Sequence, residues 1–195
     1  KVWEDANNQD GLRKEVTVKL FANDVDTGKT VTLNDNNNWQ ATFTDLDKYS
    51  NGEEISYTVE EVGIDGYTPV VTRIQNSNDF VVTNIHTPAI TEIYGTKTWN
   101  DADNQDGIRP TQVAINLAGK VNGETVETRT ATVNAESNWT YKFDNLPVYR
   151  NGSAIGYEVS ETPVEGYTTE TDGTNFINIH TPAKIEKITG TKTWD

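Results

Sequence analysis

Cysteine and methionine are both absent from this 195-residue chain. Without a thiol there can be no disulfide, thiolate metal site, iron–sulfur cluster or cysteine nucleophile, and the missing sulfur leaves oxidants few targets. Basic residues are scarce: 16 Lys and Arg stand against 30 Asp and Glu, a formal net charge of −14. A chain so poor in clustered cations cannot hold a phosphate backbone, which excludes a nucleic-acid binder, and an anionic bilayer repels it. No apolar run approaches the roughly 20 residues needed to cross a bilayer, and no basic segment followed by an apolar one opens the chain. The expectation is a soluble excerpt of a longer protein, with no membrane insertion in this fragment.

Aromatic residues are plentiful by contrast: five Trp, eight Tyr and five Phe are spread along a chain of which 34% is hydrophobic. A disordered polyanion lacks such anchors, so the composition points to folded domains with thin cores and polar surfaces. Domains of about 100 residues with modest cores often need a covalent or metal staple. Here it cannot be sulfur.

An internal repeat sets the architecture. KVWEDANNQDGLR at Lys1 recurs as KTWNDADNQDGIRP at Lys97, and KTWD begins again at Lys192. The long central segment NNWQATFTDLDKYSNGEEISYTVEEVGIDGYT returns as SNWTYKFDNLPVYRNGSAIGYEVSETPVEGYT, and FVVTNIHTPA as FINIHTPA. The chain therefore divides into a first repeat over 1–88, a second over 89–184, and the start of a third repeat or a tail over 185–195. A Pro-containing stretch around Thr87 to Glu92 marks the boundary. Short segments rich in Val, Ile, Thr and Tyr alternate apolar with polar positions, as half-buried strands require. Val16, Val18 and Leu20 share one face, as do Val113, Ile115 and Leu117. Asn51-Gly52, Asn122-Gly123 and Asn151-Gly152 mark tight corners that need positive φ. Each repeat reads as an all-β sandwich of seven to nine strands. An array of such units serves as a spacer or a repeated display surface.

Alternation also places three polar residues where apolar ones belong. Counting by twos gives Ile55, Tyr57, Val59 and then Glu61, and in the second repeat Ile155, Tyr157, Val159 and then Glu161. Asn84 shares its face with Phe80 and Val82, and Asn178 shares its face with Phe176. Lys97 lies between Ile93 and Trp99 on one face, and Lys1 has Trp3 two residues on. Buried alone, each of these groups would be costly. Burial favours the neutral amine and the protonated acid, which makes the first a nucleophile and the second a hydrogen-bond donor. The amine can then attack the Asn carboxamide while the acid shuttles protons, leaving an amide and one ammonia. The bland alternative is a structural Glu–Lys ion pair, which duplication would copy as faithfully as a reaction centre.

The opening K-x-W-x-D-x-x-N-Q-D-G-x-R, the later Y-x-V-x-E, the G-Y-T and the closing N-I-H-T-P resemble the B-type repeats (Cna B-type domains) of the collagen-binding adhesin family of Gram-positive bacteria, over essentially all of both repeats. The resemblance implies two tandem inverse immunoglobulin-like sandwiches on an extracellular, cell-wall-anchored surface protein. It also implies a spontaneous Lys–Asn isopeptide bond in each domain: Lys1 to Asn84 with Glu61 as the promoting acid, and Lys97 to Asn178 with Glu161. Enzymatic activity would be limited to that single self-directed turnover. Lys192, with no matching acid or Asn, is expected to stay a free amine. The implied partners are neighbouring repeats of the same protein, with host extracellular matrix engaged through other regions, and no cofactor is implied.

Other readings compete. The loops DANNQDG and DADNQDG suggest calcium, but their glycine stands at the seventh position where an EF-hand needs it at the sixth, so a turn capping the sandwich end is the stronger reading and no metal site is assigned. Trp39 and Trp139 could form a sugar-stacking platform, or pack in the core. With one His per repeat, His86 and His180 cannot build a zinc cluster and are expected to hydrogen-bond where the chain leaves each domain. No serine elbow supports a hydrolase. The alternative to a stalk is a binding module engaging a host glycan or matrix protein through exposed loops.

Overall fold

A computed structural model describes residues 1–194. They fall into two compact units, Lys1–Ala89 with Pro147–Ala154, and Ile90–Leu146 with the residues from Ile155 onward.

In the first repeat the strands are β1 (Val2–Glu4), β2 (Val16–Ala22), β3 (Val25–Leu33), β4 (Tyr49–Ser50), β5 (Glu53–Glu54), β6 (Tyr57–Glu61), β7 (Thr68–Arg73) and β8 (Phe80–Ile85). One sheet runs β1-β8-β7 and a second β3-β2-β6, while β4 and β5 form a small hairpin. Alternation along VTVKLFA buries Val16, Val18 and Leu20 and turns Thr17 and Lys19 outward. The β2–β3 corner is made by Asn23 and Asp24, whose φ values of 46° and 64° are those of a two-residue hairpin turn that follows the twist of the strands. A single short 3-10 turn, Asp35–Asn37, is capped by Asn34, whose side chain accepts from the Asn36 N–H.

The second repeat follows the same plan with β9 (Ile90–Asn100), β10 (Gln112–Val121), β11 (Glu124–Asn134), β12 (Thr140–Pro147), β13 (Tyr149–Arg150), β14 (Ser153–Ala154), β15 (Gly156–Glu161), β16 (Thr168–Asp172) and β17 (Asn175–Ile179). Its sheets are β12-β9-β17-β16 and β11-β10-β15. Val113, Ile115, Leu117, Val133, Tyr141, Phe143, Leu146 and Phe176 form one buried core. Each such side chain contributes roughly 1.5–3 kcal/mol when fully removed from water. Asn51-Gly52, Asn122-Gly123 and Asn151-Gly152 all sit at positive φ, as the sequence led us to expect.

In both repeats the opening and closing strands lie side by side and parallel. β1 pairs with β8 through Trp3 and Asn84, and β9 pairs with β17 through Lys97 and Phe176, then Trp99 and Asn178. This adjacency brings residues from the two ends of each repeat into contact.

Candidate functional site

The three polar residues singled out by alternation meet inside each sandwich. Lysine and asparagine come from the neighbouring opening and closing strands, and glutamate comes from the opposite sheet, where Glu61 pairs with Val18 and Glu161 with Ile115. Along β9 the buried positions are Gly95 and Lys97, between exposed Tyr94, Thr96 and Thr98. Along β17 they are Phe176 and Asn178. Lys97 is 2% exposed and both Asn84 and Asn178 are 0% exposed.

In the first repeat the carboxylate bridges the other two groups. Lys1 Nζ donates to Glu61 Oε2 at 3.0 Å, and Asn84 Nδ2 donates to Glu61 Oε1 at 2.6 Å. Asn84 Oδ1 is buried without a partner. Loss of hydration pulls the Lys1 amine below its usual range, against the opposing hydrogen bond and charge of Glu61.

The second repeat arranges the same groups differently. Lys97 Nζ stands 3.7 Å from Glu161 Oε2 and donates instead to the Thr98 carbonyl at 2.7 Å. Asn178 Oδ1 accepts from Thr169 Oγ1 at 2.8 Å, which leaves Asn178 Nδ2 and Glu161 Oε2 without hydrogen-bond partners. Desolvation brings the Lys97 amine down to about 8, with Glu161 opposing the shift. Burial thus shifts this amine toward its neutral form, the one a nucleophile requires.

Aromatic rings wall the site. Lys97 Nζ lies 3.8 Å from the centre of the Trp99 ring, and Lys1 Nζ lies 4.6 Å from that of Trp3. Trp3 meets Trp39 and Tyr67 edge to face, and Trp99 meets Trp139 and Tyr167 in the same manner. Trp39 and Trp139 thus pack against the interior of their own domains.

One cluster escaped sequence reasoning. Asp5 takes two hydrogen bonds from Arg13 and one from the Tyr67 hydroxyl, and Asp101 is bound in the same way by Arg109 and Tyr167. Both aspartates are buried. The arginine lowers the Asp5 carboxyl to about 2 and holds that of Asp101 lower still. Three successive left-handed residues, Ala6 to Asn8 and again Ala102 to Asn104, fold each loop back so that this clasp can close. The eight-residue spacing of Asp and Arg within D-x-x-N-Q-D-G-x-R was the available signal. His86 and His180 hydrogen-bond at the end of the closing strand, to Gly66 and Asp10 and to Gly166 and Asp106. Among the described residues no three His, Cys, Asp or Glu side chains converge to hold a metal ion, and no helix is long and apolar enough to cross a membrane.

The family model for the Cna protein B-type domain matches residues 1–85 and again 93–179. The chain belongs to the Cna B-type domain family. Its B-type repeats are 45% identical, over the whole of this chain, to the collagen adhesin of Staphylococcus aureus, of which they span 16%. The crystal structure of two B repeat units of the collagen-binding protein of S. aureus superposes with a TM-score of 0.81 at 44% identity, covering 92% of this chain and 48% of that one. Both repeats are inverse immunoglobulin-like sandwiches of this family.

Proposed function

We propose that the chain is a stalk or spacer module of a Gram-positive cell-wall-anchored adhesin or pilus-like surface protein. In this reading each B-type repeat ties its opening strand to its closing strand by an amide: Lys1 to Asn84 promoted by Glu61, and Lys97 to Asn178 promoted by Glu161. The observation that carries it is a buried amine and a buried carboxamide from the parallel first and last strands, faced by a buried carboxyl from the opposite sheet, once in each repeat. Holding the partners in contact supplies roughly 7–11 kcal/mol of the barrier in well-oriented cases, and desolvation frees the amine's lone pair.

A structural ion pair would explain the Lys and the Glu. It leaves a fully buried Asn beside them, with an unpartnered polar atom in both repeats, without a purpose. The amide gives it one. Under tension the load would pass from the opening strand directly to the closing strand, leaving most of the intervening chain unstretched. By analogy with a disulfide closing a loop of about 100 residues, the tie would also stabilise the fold by about 4–5 kcal/mol, and no cellular reductant cleaves it. Location outside the cell follows from the surface proteins these repeats resemble, and contact with host matrix is assigned to other parts of the parent protein.

Intact mass of the denatured chain tests the proposal. The expected result is a deficit of one ammonia per bond, with Glu161→Ala removing the deficit of the second repeat. A full, unshifted mass would leave the chain a plain spacer.

A further inference from the structure

The two sites differ at one position of the strand beside the closing strand. Thr169 on β16 stands opposite Asn178, and Pro69 on β7 occupies the same place opposite Asn84. Thr169 Oγ1 lies 2.8 Å from Asn178 Oδ1 and 3.2 Å from Glu161 Oε1. Pro69 carries no hydroxyl, and Asn84 Oδ1 has no partner. We infer that Thr169 polarises the Asn178 carboxamide for attack and positions it against Lys97 and Glu161, an aid that the first repeat lacks. The inference rests on the proposed Lys97–Asn178 bond.

The chemistry gives the hydroxyl a definite task. When the neutral Lys97 amine adds to Asn178 Cγ, the carbonyl electron pair moves onto Oδ1, where a donor within hydrogen-bond distance stabilises the growing negative charge. One amine proton passes through the Glu161 carboxyl to Nδ2. The Cγ–Nδ2 bond then breaks and ammonia departs, while the Cγ–Nζ bond remains and the carboxyl returns to its starting state. Thr169 neither gains nor loses a proton. It can turn its single hydroxyl hydrogen toward Asn178 Oδ1 during addition or toward Glu161 Oε1 at other times, so it also holds the carboxyl and the carboxamide in one orientation. In the first repeat the amide nitrogen points at Glu61 instead, and the oxygen must develop charge with no donor in place.

The rate of bond formation reads this out. Chain made by a short pulse of cell-free synthesis is sampled over time, denatured and weighed, in a Lys1→Ala background so that only the second bond contributes. Thr169→Val is expected to slow ammonia loss about 10²-fold, the effect of deleting one such donor, and Thr169→Ser to restore most of the rate. Thr169 is exposed on a strand, so Val is tolerated there, and the serine variant separates loss of the hydroxyl from loss of packing. Conversely, Pro69→Thr in a Lys97→Ala background is expected to speed the first bond. If Thr169→Val keeps pace with the parent, the role of Thr169 is overturned while the cross-link stands. If the unsubstituted chain never loses ammonia, the cross-link falls, and this inference with it.

Discussion

Thr140–Pro147 and its counterpart Gln40–Asp47 have nearly the same pattern and different fates. In the second repeat the segment is strand β12, paired to β9, with Tyr141, Phe143 and Leu146 buried. In the first repeat it forms no strand, Phe43 and Leu46 are only half-buried, and a cavity of about 1030 Å³ opens among Lys1, Leu33, Trp39, Phe43, Val59 and Phe80. The difference lies in the neighbour. β9 starts at Ile90 and runs alongside β12, and Lys97 N–H donates to the Trp139 carbonyl. Gln40–Asp47 joins no sheet, and the α-amino group of Lys1 donates to the Trp39 carbonyl at 3.1 Å. Strand propensity expresses itself only against a partner that accepts its hydrogen bonds and covers its side chains.

The comparison can be broken most forcefully in the second core. Leu146→Ala should cost about 2–5 kcal/mol of second-repeat stability, as burial at 0% exposure implies. Leu46→Ala should cost about 1 kcal/mol or less, because that side chain keeps much of its water contact. Chemical denaturation of the two variants, followed by repeat-specific amide exchange, checks the contrast, and equal losses would contradict it.

Acid sharpens the comparison further. The Asp5 carboxyl is depressed from 3.8 to about 2 by Arg13, so its contribution is complete above its unfolded value and fades as pH falls through the folded one. That contribution is on the order of 2 kcal/mol. Asp101 is depressed in the same way by Arg109, so each clasp should open on acidification, read by tyrosine and tryptophan fluorescence. Asp101→Asn should remove this acid dependence from the second repeat. The smallest effect belongs to the histidines. Each ring places one nitrogen on a carbonyl and the other on a carboxylate, acceptors both, so the imidazolium form is favoured and both groups are raised above 6.5. Their stabilisation is present below the unfolded value and is lost as pH rises through the raised one. NMR titration of His86 and His180 should give midpoints above 6.5 in the folded chain, and a midpoint at or below that value would contradict the bonding scheme.

The fold was legible because duplication repeats nearly every strand pattern, and because alternation exposes an intruder. Lys97, Glu161 and Asn178 could be found from sequence since each interrupts a row of apolar residues. The clasp of Asp101, Arg109 and Tyr167 was not found, because its loop reads as a solvated turn and its burial depends on a tyrosine 66 residues away. Thr169 stayed hidden for a related reason: alternation sends it outward, and only the pairing register reveals that its hydroxyl reaches back over the strand to the carboxamide. The Asn23-Asp24 hairpin turn also went unremarked, since it lacks the glycine that flags its counterpart Asn122-Gly123.

Parallel alignment of the opening and closing strands means that the polypeptide enters a domain at one end and leaves it at the other. A genetic event that duplicates or deletes one whole repeat therefore lengthens or shortens the protein while leaving the two sheets inside every remaining domain intact. Repeat number thus becomes a variable that selection can adjust without redesigning a single core.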